Sequence, residues 1–179
     1  MSNKYLLTAF SRDRVGIVAD ISQVIYENGY NLEDSSMMYL AGEFAILLLL
    51  SEPSSDVAGT LNEVMSKECR RLEIEKGITA FLRPVGDEKQ EKKKDIVTKT
   101  INIEGHDQAG IVYRVSKFLA DSNINILTLR TEVRPSPQSG TDLYVMKIDV
   151  EIPGKLNLGE VEDGLETIGD RLHVDVSIA

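Results

Sequence analysis

The sequence of 179 residues has no tryptophan, one cysteine and two histidines, and these shortages remove several classes of function at once. A lone Cys69 cannot close an internal disulfide, so packing must hold the fold and a reducing compartment is expected. His106 and His173 have no partner at a metal-ligand spacing such as His-x3-His or Cys-x2-Cys, and no metal site is expected. A basic excess is also missing: 20 Lys and Arg stand against 29 Asp and Glu, for a net charge of −9 and a pI near 4.8. Direct nucleic-acid binding needs a basic stripe to displace counterions from phosphate, so it is not expected. The apolar run Phe44 to Leu50 is too short to span a bilayer. Met1-Ser-Asn-Lys-Tyr5 passes at once into a strand-like run without the apolar stretch of a signal peptide, so a cytoplasmic protein with no membrane partner is expected. A nucleophile elbow, a Walker loop and a dinucleotide fingerprint are absent too; the glycines spaced through Gly154 to Gly169 lack the Lys and Ser or Thr of a phosphate loop. Neither a catalytic role nor a cofactor is expected.

What is present is a duplication. Ser11-Arg-Asp-Arg-Val-Gly-Ile-Val-Ala-Asp-Ile-Ser22 returns as Gly105-His-Asp-Gln-Ala-Gly-Ile-Val-Tyr-Arg-Val-Ser116, 94 residues later. Asp13 pairs with Asp107, Gly16 with Gly110, Ile17 with Ile111 and Asn31 with Asn125. A period of that size is the length of a domain rather than of a solenoid repeat. From Pro53 onward the offset rises to 100, Pro53 matching Pro153 and Arg71-Leu72 matching Arg171-Leu172, so six residues are inserted in the hairpin loop Arg134 to Gly140. The expected division is a first domain at 1–84, a charged linker at 85–95 and a second domain at 96–179.

Within each copy the patterning reads strand, helix, strand, strand, helix, strand. Lys4 to Phe10 is a strand, and Ile17, Val18, Ile21, Val24 and Ile25 mark one stripe of a helix over Val15 to Asn28. Asp13 is placed to cap that helix, and Gly29 to end it in a left-handed residue, with Asn123 as its counterpart. Tyr30 to Leu40 and Phe44 to Leu50 form a hairpin, Pro53-Ser-Ser-Asp offers caps for a helix striped by Leu61, Val64, Met65 and Leu72, and a last strand lies between Leu72 and Leu82. This order predicts an α+β chain of two ferredoxin-like βαββαβ domains, each a four-stranded antiparallel sheet with both helices on one face.

Asp13-Arg-Val-Gly-Ile-Val18 followed by Gly29-Tyr-Asn-Leu32 resembles the opening of ACT domains, small modules that bind amino acids and control enzymes or regulators. The resemblance covers both copies, and a free-standing tandem pair is similar to the glycine cleavage system transcriptional repressor group. It implies a non-catalytic regulatory protein that binds a small amino acid, glycine or serine as the first guess, and signals to a protein partner that is itself a regulator or an enzyme. The alternative is a ligand-free interaction or oligomerisation module.

The chemistry of the turns fits a carboxylate. The first amides of a helix lack internal partners and form a small anion site, and a glycine lets a ligand approach the backbone. Asn31 offers both a donor and an acceptor to a zwitterion. The candidate ligand residues are Asp13, Arg14, Val15, Gly16, Ile17 and Asn31 in the first copy, with Asp107, Gln108, Gly110, Ile111 and Asn125 in the second. The first turn ranks ahead because Gln108 replaces the charged Arg14. Purely structural roles stand beside these: the aspartates as caps, the glycines as points of close packing, the asparagines as turn formers.

Strand alternation adds a contact surface. Ile46, Leu48 and Leu50 match Met146, Ile148 and Val150 and should face the helices, whereas Leu47 and Leu49 become Lys147 and Asp149, and Leu6 and Phe10 become Thr100 and Glu104. The first domain's open face, with Leu6, Phe10, Leu47 and Leu49, is therefore expected to be covered by the other domain or by a second chain in a homodimer.

Overall fold

Alternating apolar residues in the strands and 3.6-residue stripes in the helices build the same architecture twice in the computed structural model, which describes residues 3–52, 58–86, 95–106, 109–135 and 142–179. The first half runs β1 (Lys4–Arg12), α1 (Ile17–Glu27), β2 (Asn31–Leu40), β3 (Glu43–Ser51), α2 (Ala58–Lys76) and β4 (Thr79–Val85). The second runs β5 (Ile96–His106), α3 (Ile111–Asp121), β6 (Asn125–Pro135), β7 (Asp142–Pro153), α4 (Leu158–Leu172) and β8 (Val174–Ile178). Each half forms a four-stranded antiparallel sheet, in the order β2-β3-β1-β4 and β6-β7-β5-β8. The chain divides into two compact units, residues 1–89 and 90–179. The strand β4 includes Pro84 and Val85, while residues 87–94 of the expected linker and 136–141 of the expected hairpin loop lie outside the described residues.

Each unit has its own core. In the first, Leu7, Ala9, Ile46, Leu48 and Leu50 from the sheet meet Ile17, Ile21, Val24 and Ile25 of α1 and Met65, Cys69 and Leu72 of α2. In the second, Ile101, Ile103, Met146, Ile148 and Val150 meet Ile111, Val115 and Leu119 of α3 and Val161, Leu165 and Leu172 of α4. Val64, expected in the α2 stripe, is exposed, because the buried row runs Met65, Cys69, Leu72 at steps of four and three. The side chain of Leu61 and the expected caps at 53–57 lie outside the described residues.

Both first helices end as expected. Gly29 at φ 72° and Asn123 at φ 58° are left-handed, and the next amides, Tyr30 and Ile124, reach back to the carbonyls of Ile25 and Leu119. Their starts differ from expectation. Neither helix has a side-chain cap; Gly16 and Gly110 hold the N-cap positions at φ 92° and 100°. Asp13 is drawn elsewhere, its own amide donating to the carbonyl of Gly42 in the β2–β3 turn at 2.9 Å.

Glycines in the second unit serve packing. A Cβ on Gly164 would strike the ring of Phe118, and one on Gly169 would lie 2.8 Å from the Val174 carbonyl, so these glycines let α4 approach α3 and β8. The parity of the sheet faces is as expected: Ile46, Leu48 and Leu50 are buried, as are Met146, Ile148 and Val150. On the open face of the first unit Phe10 and Leu47 are 47% and 45% exposed, beside the exposed Phe81, while Leu6 and Leu49 are partly buried. The matching row of the second unit is polar, with Thr100 and Thr128 donating to the two oxygens of Asp149 at 2.7 and 2.6 Å.

Candidate functional site

The turn from β1 into α1 is shaped by its backbone. Gly16 sits at a φ that residues with a Cβ rarely adopt, yet a Cβ there would meet only the Arg14 guanidinium, 3.8 Å away. The glycine is therefore required for the turn itself, not for close packing of helix on sheet. Its carbonyl accepts from the Asp20 amide, which leaves the three preceding amides of α1 without a helical partner. Val15 is fully exposed and Ile17 is buried in the core, so of these two only Val15 offers a side chain to a ligand.

The expected cation of this turn is already engaged. Arg14 Nη2 donates to Asp20 Oδ2 at 2.6 Å, and Lys76 at the end of α2 approaches Asp20 Oδ1 at 3.3 Å. The Arg14 hydrogen bond, helped by Lys76, holds the Asp20 carboxyl below its ordinary value. A carboxylate of the chain itself thus lies where a ligand carboxylate would have to go. The ranking of the first turn above the second counted the charge of Arg14 without this partner.

The second turn has the same backbone and different side chains. Gly110 accepts from the Arg114 amide at 2.9 Å, and Ile111 is buried as Ile17 is. Asp107 and Gln108 lie outside the described residues. Where the first unit has Asp20, the second has Arg114, and a cavity of about 460 Å³ opens there, lined by Gly110, Tyr113, Arg114, Lys117, Ile168 and Arg171. Lys117 is held by Asp121 at 2.8 Å, whereas Arg114 and Arg171 have no ion-pair partner among the described residues.

The asparagines do not join either turn. Arg12 pairs with Glu43 and Asn31 with Ser51, at opposite ends of β3, which separates Asn31 from the glycine turn by about 27 Å of strand. Asn125 likewise pairs with Glu151, donates to its carboxylate at 3.3 Å, and lines a larger cavity of about 650 Å³ with Asp95, Asn123 and Lys155. Mixed charges and the absence of a helix start make that end of the unit a weaker candidate, although its cavity is bigger. His106 ends β5 exposed, and His173 closes α4 in the left-handed region with its ring against the Asp170 carbonyl.

Asp20, Arg114 and Arg171 were not among the expected ligand residues. The mismatches between the two copies carried the signal: Asp20 against Arg114 at an offset of 94, and Glu68 against Ile168 at an offset of 100.

With this geometry in view, the comparisons with known proteins are specific. The family model of the ACT domain matches residues 4–79. A UPF0237 protein of Methanopyrus kandleri is 37% identical over 71 residues, 39% of this chain and 79% of that protein. The chain belongs to the ACT-domain family. Over nearly its whole length it is also similar to the glycine cleavage system transcriptional repressor of Escherichia coli, at 26% identity over 182 residues, covering 99% of this chain and 90% of the repressor. Among solved structures, a protein from Galdieria sulphuraria of unknown role superposes with a TM-score of 0.80 at 29% identity, covering 99% of this chain and 98% of that one. A protein assigned as a glycine cleavage system transcriptional repressor gives 0.71 at 17% identity, over 100% and 97% of the two chains, and shows the tandem ACT fold. The two units described above are therefore two ACT-like domains, each with a glycine turn at the start of its first helix.

Proposed function

We propose that the protein is a non-catalytic, cytoplasmic regulator that binds a small amino acid and passes its occupancy to a protein partner, in the control of amino-acid metabolism. The observation that carries this reading is the second glycine turn, where Gly110 at the start of α3 lines a ligand-sized cavity together with Arg114. The full-length similarity to a named repressor supports the regulatory part. With a net charge of −9, the chain acts through a protein rather than by gripping DNA.

A thermal-shift screen of the twenty amino acids tests it. A ligand that binds only the folded state at one hundred times its Kd adds about 2.7 kcal/mol, a shift well above scatter. No shift with any of the twenty would reject the reading. The rival is a ligand-free homodimerisation module, which the exposed Phe10, Leu47 and Phe81 favour; it predicts concentration-dependent association with no response to amino acids.

A further inference from the structure

We propose that the cavity between the start of α3 and the end of α4 takes a small ligand bearing two carboxylates. This rests on the amino-acid reading above and names the ligand class at that site.

The first observation is what has been removed. In the first domain, Asp20 is paired with Arg14 and Lys76, and Arg71 is paired with Glu68 at 3.0 Å. In the second, Arg114 stands in place of Asp20, and Ile168 in place of Glu68 below Arg171. Arg114 thus replaces an acid, and of the two acids beside Arg71, Glu68 and Glu75, the second copy keeps only Asp175 in place of Glu75, which forms no ion pair with Arg171 among the described residues.

The second observation is where Arg114 stands. It lies in the first turn of α3, the positive end of the helix dipole, where a cation is disfavoured and an acid such as Asp20 is the natural choice. Arg171 in the last turn of α4 is well placed by the same rule, whereas Arg114 is not. A carboxylate at Arg114 would meet both the guanidinium and the free amides beside Gly110, and a second would meet Arg171. Planar guanidinium groups suit carboxylates because each can bind bidentately. Ile168 and Tyr113 line the same cavity and offer apolar surface to a short carbon chain. Glycine or serine brings one carboxylate and an ammonium, and the ammonium would face the cations Arg114 and Arg171; a dicarboxylate, including an acidic amino acid, offers a carboxylate to each.

The full chain is titrated at fixed ionic strength with succinate, glutarate and L-glutamate, with glycine, serine and acetate as single-carboxylate comparisons, following the melting midpoint and the Kd. The expected result is binding of at least one dicarboxylate, weakened about tenfold or more by Arg114→Gln and by Arg171→Gln. Both residues are exposed, so each variant should keep the ligand-free midpoint of the parent. Binding of glycine or serine with no dicarboxylate binding would overturn the proposal and leave the regulatory reading standing. Silence from every amino acid and every dicarboxylate would overturn both. Dicarboxylate binding undiminished in the double variant would overturn the placement, and so would binding of hexaglutamate peptide where succinate fails, which would mark the cations as a protein contact.

Discussion

The two ACT-like domains share every element and differ at the helix start, on the open sheet face and at one end of the core. At the helix start, the first has Asp20 held between Arg14 and Lys76, and the second has Arg114, Lys117 and Arg171 lining a cavity. On the open sheet face, Leu6, Leu47 and Leu49 of the first answer to Thr100, Lys147 and Asp149 of the second. At the opposite end of the first core, Tyr5 donates to the buried Glu52 at 2.6 Å and packs edge-on against Tyr30, while the second has Lys99, Ile152 and Ile124 at those positions. The duplication kept the order of the elements and changed the charge at the helix start: Asp20 stands in one copy and Arg114 in the other.

The strongest way to break the comparison is through the two cores. Met65 and Leu165 are equivalent, fully buried residues of the second helix of each domain. Truncating either to alanine should cost its own domain about 2–5 kcal/mol, measured by denaturant unfolding with hydrogen exchange to locate the loss. If Met65→Ala lowered protection equally in both domains, the idea of two separate cores would fail.

A pH titration sharpens the contrast further. Tyr5 and Tyr30 are both pushed up to about 12, Tyr5 chiefly because its hydroxyl donates to Glu52 and Tyr30 chiefly by burial. Burial pushes the Cys69 thiol up to about 11 as well. Folded values above the ordinary ones mean that this stabilisation is intact below pH 10 for the tyrosines and is lost as pH climbs towards 12. The first domain should therefore unfold in alkali before the second. Absorbance at 295 nm should show a late-titrating fraction that shrinks in Tyr30→Phe; tyrosines that all titrate near 10 would contradict the buried cluster. The Tyr30 hydroxyl has no hydrogen-bond partner among the described residues, so the same variant should cost the fold little.

Most of the fold was legible in the sequence because periodicity reports burial directly. The alternation of Ile46, Leu48 and Leu50 and the stripe of α1 lie on the buried faces they imply. The candidate site was less legible. Nothing in the local sequence tells that Gly16 is needed for its positive φ rather than for space, since both uses select glycine. The pairing of Arg14 with Asp20 depends on how the turn brings residues six apart together, and that of Asp20 with Lys76 on two helices meeting. Asn31 was grouped with the turn for its donor and acceptor, while α1 carries it to the far end of the sheet.

A smaller effect is expected from exchanging the sheet faces. Leu47→Lys should change folding stability by about 0.5 kcal/mol or less, since the residue is nearly half exposed, and should reduce any self-association seen by sedimentation; Lys147→Leu should increase it. Unchanged association in both variants would remove the open face from the comparison.

The claim that one turn is closed by its own aspartate and the other is open can be read residue by residue. Backbone amide shifts of the full chain, followed by NMR during titration with the amino acid or dicarboxylate that gives the largest thermal shift, should move at Gly110 to Arg114 and stay fixed at Gly16 to Asp20. In Asp20→Ala, which frees Arg14, the first set should begin to respond as well. Shifts at Gly16 to Asp20 in the parent protein, with Gly110 to Arg114 unmoved, would contradict the account.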